Sequence, residues 1–169
     1  MKVVAYKLKN VDLNVNATVN KVRNFLKNDF ETYLSRAGMH RSDLANISLS
    51  SPQLSVTGGG GSAGNGEETK IMQLFDYEAK CGAVYRTIED CSNNPNLNDY
   101  NREILEYTYL LRLRDSDIAE RIGLSESTVR AKRREALCDF ANRIIKWQVK
   151  FDTKIPELRV FSNKEEIRS

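Results

Sequence analysis

The sequence predicts an all-α protein, and three observations carry that prediction. Apolar residues recur at helical spacing in stretches separated by amide, glycine and proline breaks. The composition, 40% hydrophobic and 29% charged, suits a small helical protein with much exposed surface. Residues 115–140 carry the small-residue, glycine and serine pattern of two short helices crossing through a tight turn. With 169 residues, the chain is long enough for one ordinary domain or two small ones.

The first long helix is expected from about Val15 to Ala37. Val15, Val19, Val22, Phe25, Leu26, Phe30, Tyr33 and Leu34 recur at its period, and Lys21, Arg23, Lys27 and Glu31 fill the other face. Asn14 or Asn16 can cap its start, and Gly38 can end it. The first dozen residues carry only a weak signal, for a short strand or an extended arm. Residues 48–66 are rich in serine and glycine, with four consecutive glycines that forfeit packing and cost backbone entropy to order. This is a flexible connector. It divides an N-terminal helical region at 1–57 from a helical domain at 67–150, with the linker proper at 58–66. A phosphate-binding glycine loop would need a strand before it and Lys-Ser or Lys-Thr after it, and has neither.

Helical periodicity returns from Glu67 to about Cys91. Ile71, Leu74, Phe75, Cys81, Val84, Tyr85 and Ile88 trace one face, with Glu78 the exception. Glu67 and Glu68 suit the positive end of the helix dipole. The segment from Ser92 to Asn98, with Pro95, breaks the helix. A further helix is expected from about Asp99 to Leu111, carrying Ile104, Leu105, Tyr107, Tyr109 and Leu110.

The informative stretch follows. A small residue at Ala119 allows close helix approach, and Gly123, four residues on, supplies the positive φ of the turn. Ile118, Ile122, Leu124 and Val129 are the apolar residues that lock the two helices together. Ser125 caps the second. Then come Arg130, Ala131, Lys132, Arg133 and Arg134, four of five basic. Val129, Ala136, Leu137 and Phe140 share the inward face of this helix. Ser127, Thr128, Ala131, Arg134 and Glu135 point away, with Arg130 and Lys132 on the flanks. Small polar residues first and arginines after suit the major groove of double-stranded DNA. The expected DNA-binding residues are Ser125, Ser127, Thr128, Arg130, Ala131, Lys132, Arg133 and Arg134. A basic run alone would be only a solvated face; its register with Ala119, Gly123, Ser125 and Val129 makes the pattern specific.

Other chemistry finds little support. His40 is the sole histidine, in a polar stretch where a solvated side chain is the plain reading. One histidine cannot build a His-rich metal site. The acid pairs Asp115/Asp117 and Glu67/Glu68 stand at helix starts, where they meet the dipole. No catalytic residue, metal or cofactor is expected, and an enzyme is the least supported class. Cys81, Cys91 and Cys138 are odd in number and widely spaced, so reduced, partly buried thiols are expected. No apolar run is long enough to span a bilayer and the N-terminus lacks a signal-peptide pattern, so no membrane and a cytoplasmic location are expected. The recognition helix is expected to continue through Trp147. Three fates are open for residues 151–169: a short strand, an arm grasping a second subunit, or disorder.

From Arg102-Glu103-Ile104-Leu105 through Ser127-Thr128-Val129, the residues resemble the promoter-reading C-terminal region of bacterial sigma factors. Arg133 departs from that pattern, where an apolar residue is usual, which argues against a working sigma factor. It lies near the inward face, with a phosphate or an acidic neighbour such as Glu103 as its expected partner. The whole chain is more similar to the ArpU-type phage transcriptional regulators. That similarity rests on Val22-Arg23-Asn24-Phe25-Leu26, on Ser50-Ser51-Pro52 with the glycine run and Glu67-Glu68, and on residues 132–141. It implies a phage or prophage gene controlling late functions in a bacterial host. One such helix rarely supplies enough specificity for a genome, so a homodimer on two half-sites or help from RNA polymerase is expected. Two rivals stand beside the activator: a DNA-packaging protein like a small terminase subunit, and a polymerase-binding module that does not touch DNA.

Overall fold

The computed structural model describes residues 12–49 and 65–162, and the described residues are overwhelmingly helical. Helix α1 (Val15–Asn24) is capped by Asn14, whose side chain accepts from the Ala17 amide at 3.0 Å. It passes through a π turn (Phe25–Asp29), closed by the Phe30 amide on the Phe25 carbonyl, into α2 (Phe30–Ala37). Gly38, at φ 63°, ends α2 in the left-handed conformation a C-terminal cap requires. A 3-10 turn (Arg41–Asn46) follows, with His40 and Asp43 forming a capping box at its start.

The long α3 (Asn65–Asp90) begins with Glu67 and Glu68 in its first turn. A 3-10 turn (Pro95–Leu97) makes the break. Next come α4 (Asn101–Leu105) with a second π turn (Glu106–Leu110), then α5 (Asp115–Ile122) and α6 (Glu126–Lys150). Extended pairing among the described residues is limited to two isolated bridges, Leu13 with Phe161 and Asn94 with Asp99. No described helix is long and apolar enough to cross a membrane.

One core unites most of these helices. Val19, Val22, Phe25, Leu26, Phe30 and Leu34 from the first helical stretch meet Cys81, Val84 and Ile88 of α3 and Leu137, Phe140 and Ile144 of α6. Phe25 and Phe140 meet at a tilt, with ring centres 6.3 Å apart. The N-terminal region and the C-terminal helices, expected as two parts, therefore share a single core. The reason is supply: within residues 12–49 only Leu44, Met39 and Ile47 join the apolar stripe of α1–α2, and α3 and α6 each present further apolar side chains to it. The expected linker falls outside the described residues up to 64, and its last two residues, Asn65 and Gly66, are already helical.

The periodicity of α3 overstated its burial at one end. Ile71 and Leu74, expected on the packed face, are exposed, as is Met72. The helix is enclosed only from about Cys81 onward, where Gly82 lets Phe151 and Ile47 approach the backbone.

Of the three fates open to the tail, residues 151–162 take a fourth. They fold back on their own chain, burying Phe151, Ile155 and Leu158. The Val160 carbonyl accepts from the Asn14 amide at 2.7 Å, and the Val160 amide donates to Thr18 Oγ1 at 3.0 Å. Residues 1–11, with the expected strand or arm, and 163–169 lie outside the described residues.

All three cysteines are free. Burial pushes the Cys81 thiol up to about 12 and moves Cys91 and Cys138 in the same direction, so none favours the reactive thiolate at neutral pH.

Candidate nucleic-acid interface

The α5–α6 corner is held by a core of its own. Ile118, Ala119 and Val129 close on Ile104 of α4, and Tyr100, Tyr107, Leu113, Ile122 and Leu124 pack around them. All six positions expected to be structural are here. Ala119 gives α5 a flat contact. Gly123 takes φ 71°, with the Leu124 amide donating back to the Ala119 carbonyl at 3.0 Å. Ser125 is extended and caps α6: its Oγ accepts from the Thr128 amide at 3.2 Å and lies 2.8 Å from Thr128 Oγ1. An exposed Ser-cap oxygen thus satisfies one of the free amides at the start of α6.

With Val129 turned inward, Ser125, Ser127, Arg130 and Ala131 are exposed, and Thr128 is half-buried. The basic residues divide by their partners. Arg130 has more than half of its side chain in solvent (56%), at 3.7 Å from Asp115 and 3.8 Å from Glu126. Lys132 is half-buried; its ammonium donates to the Asn98 carbonyl at 2.7 Å and sits over the Tyr100 ring. Arg134 is half-buried and donates to Asn16 Oδ1 on α1.

Arg133 is the correction. Its side chain is 12% exposed and donates to Asp115, at the first turn of α5, with Nε on Thr108 Oγ1 at 3.2 Å. It reaches neither the exposed face nor Glu103. Arg133 thus ties together three elements: α6, the start of α5 through Asp115, and the π turn after α4 through Thr108.

Arg133 holds the Asp115 carboxyl below its usual range, against the opposing effect of burial, with Arg130 adding to the pull. Asp115 is therefore depressed in the folded state. Its contribution to stability is complete above the ordinary carboxylate pKa and is lost as pH falls through the folded value. Arg133→Met is expected to lower stability at neutral pH by about 1–2 kcal/mol, the lower part of the range for a charged hydrogen bond because the pair is partly solvated. The difference from wild type should narrow on acidification below about pH 4. Urea midpoints measured across that range test this; a difference that does not change with pH would show that Asp115 is not the partner that matters.

Two residues escaped the sequence reading. Arg112 and Arg114 precede α5 with 60% and 90% of their side chains exposed, one on each side of the half-buried Leu113. The alternation Leu111-Arg112-Leu113-Arg114 was the available signal, and the helical pattern on either side obscured it. Arg112, at φ 54°, donates to Glu31 on α2, which also takes Arg41.

No family model, curated protein or solved structure matches this chain. The corner is therefore read on its own geometry. What it offers chemically is a capped helix start with short exposed side chains, bordered by guanidinium groups. Among the described residues no cluster of histidine, cysteine and carboxylate side chains could hold a metal ion.

Proposed function

We propose that the α5–α6 corner is a helix-turn-helix, akin to the promoter-reading module of sigma factors, and that the protein is a sequence-specific double-stranded DNA-binding transcriptional regulator. On this reading it is a phage or prophage late-gene activator of the ArpU type, acting on DNA in the cytoplasm of a bacterial host.

One observation carries the reading. The left-handed turn at Gly123 and the Ser125 cap orient α6 so that its apolar side is sealed by Ile104, Ile118 and Ala119, while Ser127, Arg130 and Ala131 are left in solvent. Small side chains in the first turn let the helix backbone approach base edges closely, and Ala131 offers a methyl contact to thymine. Encounter begins with phosphate attraction to Arg114 and Arg130. Sequence is then read by Ser127, Thr128, Ala131 and Arg134, the last after exchanging its neutral amide partner Asn16 for a base. Arg133 acts by holding α5 against α6, and Lys132 by steadying the helix against Asn98.

Binding selection from a random duplex library is the test. A single enriched motif supports the regulator. Salt-sensitive binding with no motif favours the DNA-packaging alternative, and no binding at low salt by folded protein sinks the DNA reading in favour of a polymerase-binding module. Arg130→Ala is expected to weaken motif and random duplexes alike and to reduce the slope of log affinity against log salt by about 0.9, the value for a single neutralised phosphate. Fluorescence anisotropy across a salt series measures both.

A further inference from the structure

Helix α1 and the π turn after it carry a polar face, of which only Arg23 reaches a core side chain, Tyr109. Asn16, Asn20 and Arg23 on α1 and Lys27 on the π turn recur every three or four residues, alongside the buried Val19, Val22 and Leu26. None of the four is acidic. Asn16, Asn20 and Lys27 are exposed, and Arg23 is half-buried with Nη1 3.5 Å from Asn20 Oδ1.

The two ends of this face meet the candidate interface. At its start, Asn16 accepts from Arg134 on α6, across 118 residues of sequence. At its far end, Lys27 lines a cleft of about 370 Å³ with Thr108, Arg112, Arg41 and the carboxylate of Glu31, which both arginines hold. Thr108 accepts from Arg133, and Arg112 stands three residues before α5. The amide and cationic stripe of α1 thus runs from the recognition helix to the approach of α5. Its chemistry, amides that donate to phosphate oxygens interspersed with cations, suits a nucleic-acid backbone. Such interactions fix register and carry no sequence information.

We infer that this face of α1 is a second DNA-contacting element, which grips the phosphate backbone beside the groove that α6 enters. The inference rests on the DNA-reading assignment of α6 and extends it. It gives the N-terminal helix a role that its core packing alone would not require: an isolated recognition helix reaches few phosphates, and α1 lengthens the footprint.

Two substitutions of exposed residues test it, in the full chain, with folding checked by circular dichroism. The probes are a duplex carrying the selected motif and a random duplex of equal length. Lys27→Glu is expected to weaken both duplexes by a similar factor and to reduce the salt slope by about 0.9 or more, since at least one phosphate is no longer neutralised. Asn20→Lys, which adds a cation to the stripe, is expected to strengthen both and to steepen the slope by about the same amount. The selected motif should be unchanged in each. If neither variant moves affinity or slope while Arg130→Ala lowers both, α1 does not touch DNA and the inference fails, with the α6 reading intact. A change of motif in Lys27→Glu also overturns it, because a grip on the backbone does not select bases. If wild type binds no duplex at low salt, both readings fall together.

Discussion

Phe140→Ala should be the most destabilising single substitution in the shared core, by about 3–5 kcal/mol. Phe140 has no solvent exposure and lies where α1 and α6 meet, against Phe25. Truncation removes the buried ring's transfer free energy and leaves a void that the surrounding helices fill only in part. Collapse is hindered because the two sides of the void belong to long helices fixed elsewhere, α1 by Asn14 and the tail, and α6 by Val129 and Ile144. For a chain of this size the thermal midpoint should fall by roughly 8–15 °C. Differential scanning calorimetry measures it. A fall of less than about 1 kcal/mol would mean that α1 is not packed on α6 in solution.

Gly82→Val is the second. A Cβ built at Gly82 would lie 2.5 and 2.8 Å from the Phe151 ring and 2.9 Å from Ile47. Neither neighbour can swing into solvent, since Phe151 is buried and Ile47 is packed against the core. Relief therefore requires the start of the tail to lift from α3. Overpacking of this kind costs about 1–3 kcal/mol, and more where the backbone must move. The two substitutions are separable by protease digestion. Phe140→Ala should loosen the body evenly, whereas Gly82→Val should first expose cleavage after Phe151 or Lys154. Equal protection of the tail in Gly82→Val and wild type would contradict the packing at Phe151.

The helices were legible because their apolar stripes are regular. Val19, Val22, Phe25, Leu26, Phe30 and Leu34 recur at a spacing only a helix buries, and all are buried. The π turns were not legible, because one residue of slip in the hydrogen-bond register leaves the stripe almost unchanged. Spacing gives a face but not what covers it: Ile71 and Leu74 keep the period of α3, yet both are exposed. At the corner, Gly123 and Ser125 announced themselves because each does a local backbone job that few residue types can do. For Arg133 an acidic neighbour was legible but Asp115 was not, for the opposite reason. A guanidinium reaches far, and its partner at Asp115 is set by how α5 lies against α6. The clasp of the tail on Thr18 joins residues 142 apart, and sequence spacing holds no trace of it.

That separation bears on synthesis. The apolar face of α1 leaves the ribosome well before its partners on α6 and the tail, Thr18 preceding Val160 by 142 residues. Until α6 follows, Val22, Phe25 and Leu26 lack part of their packing, so the nascent chain presents a sticky helix that a holding chaperone would recognise. Folding must then bring α1 together with the distant α6 and tail before the core is complete, which slows it compared with bundles built from neighbouring helices.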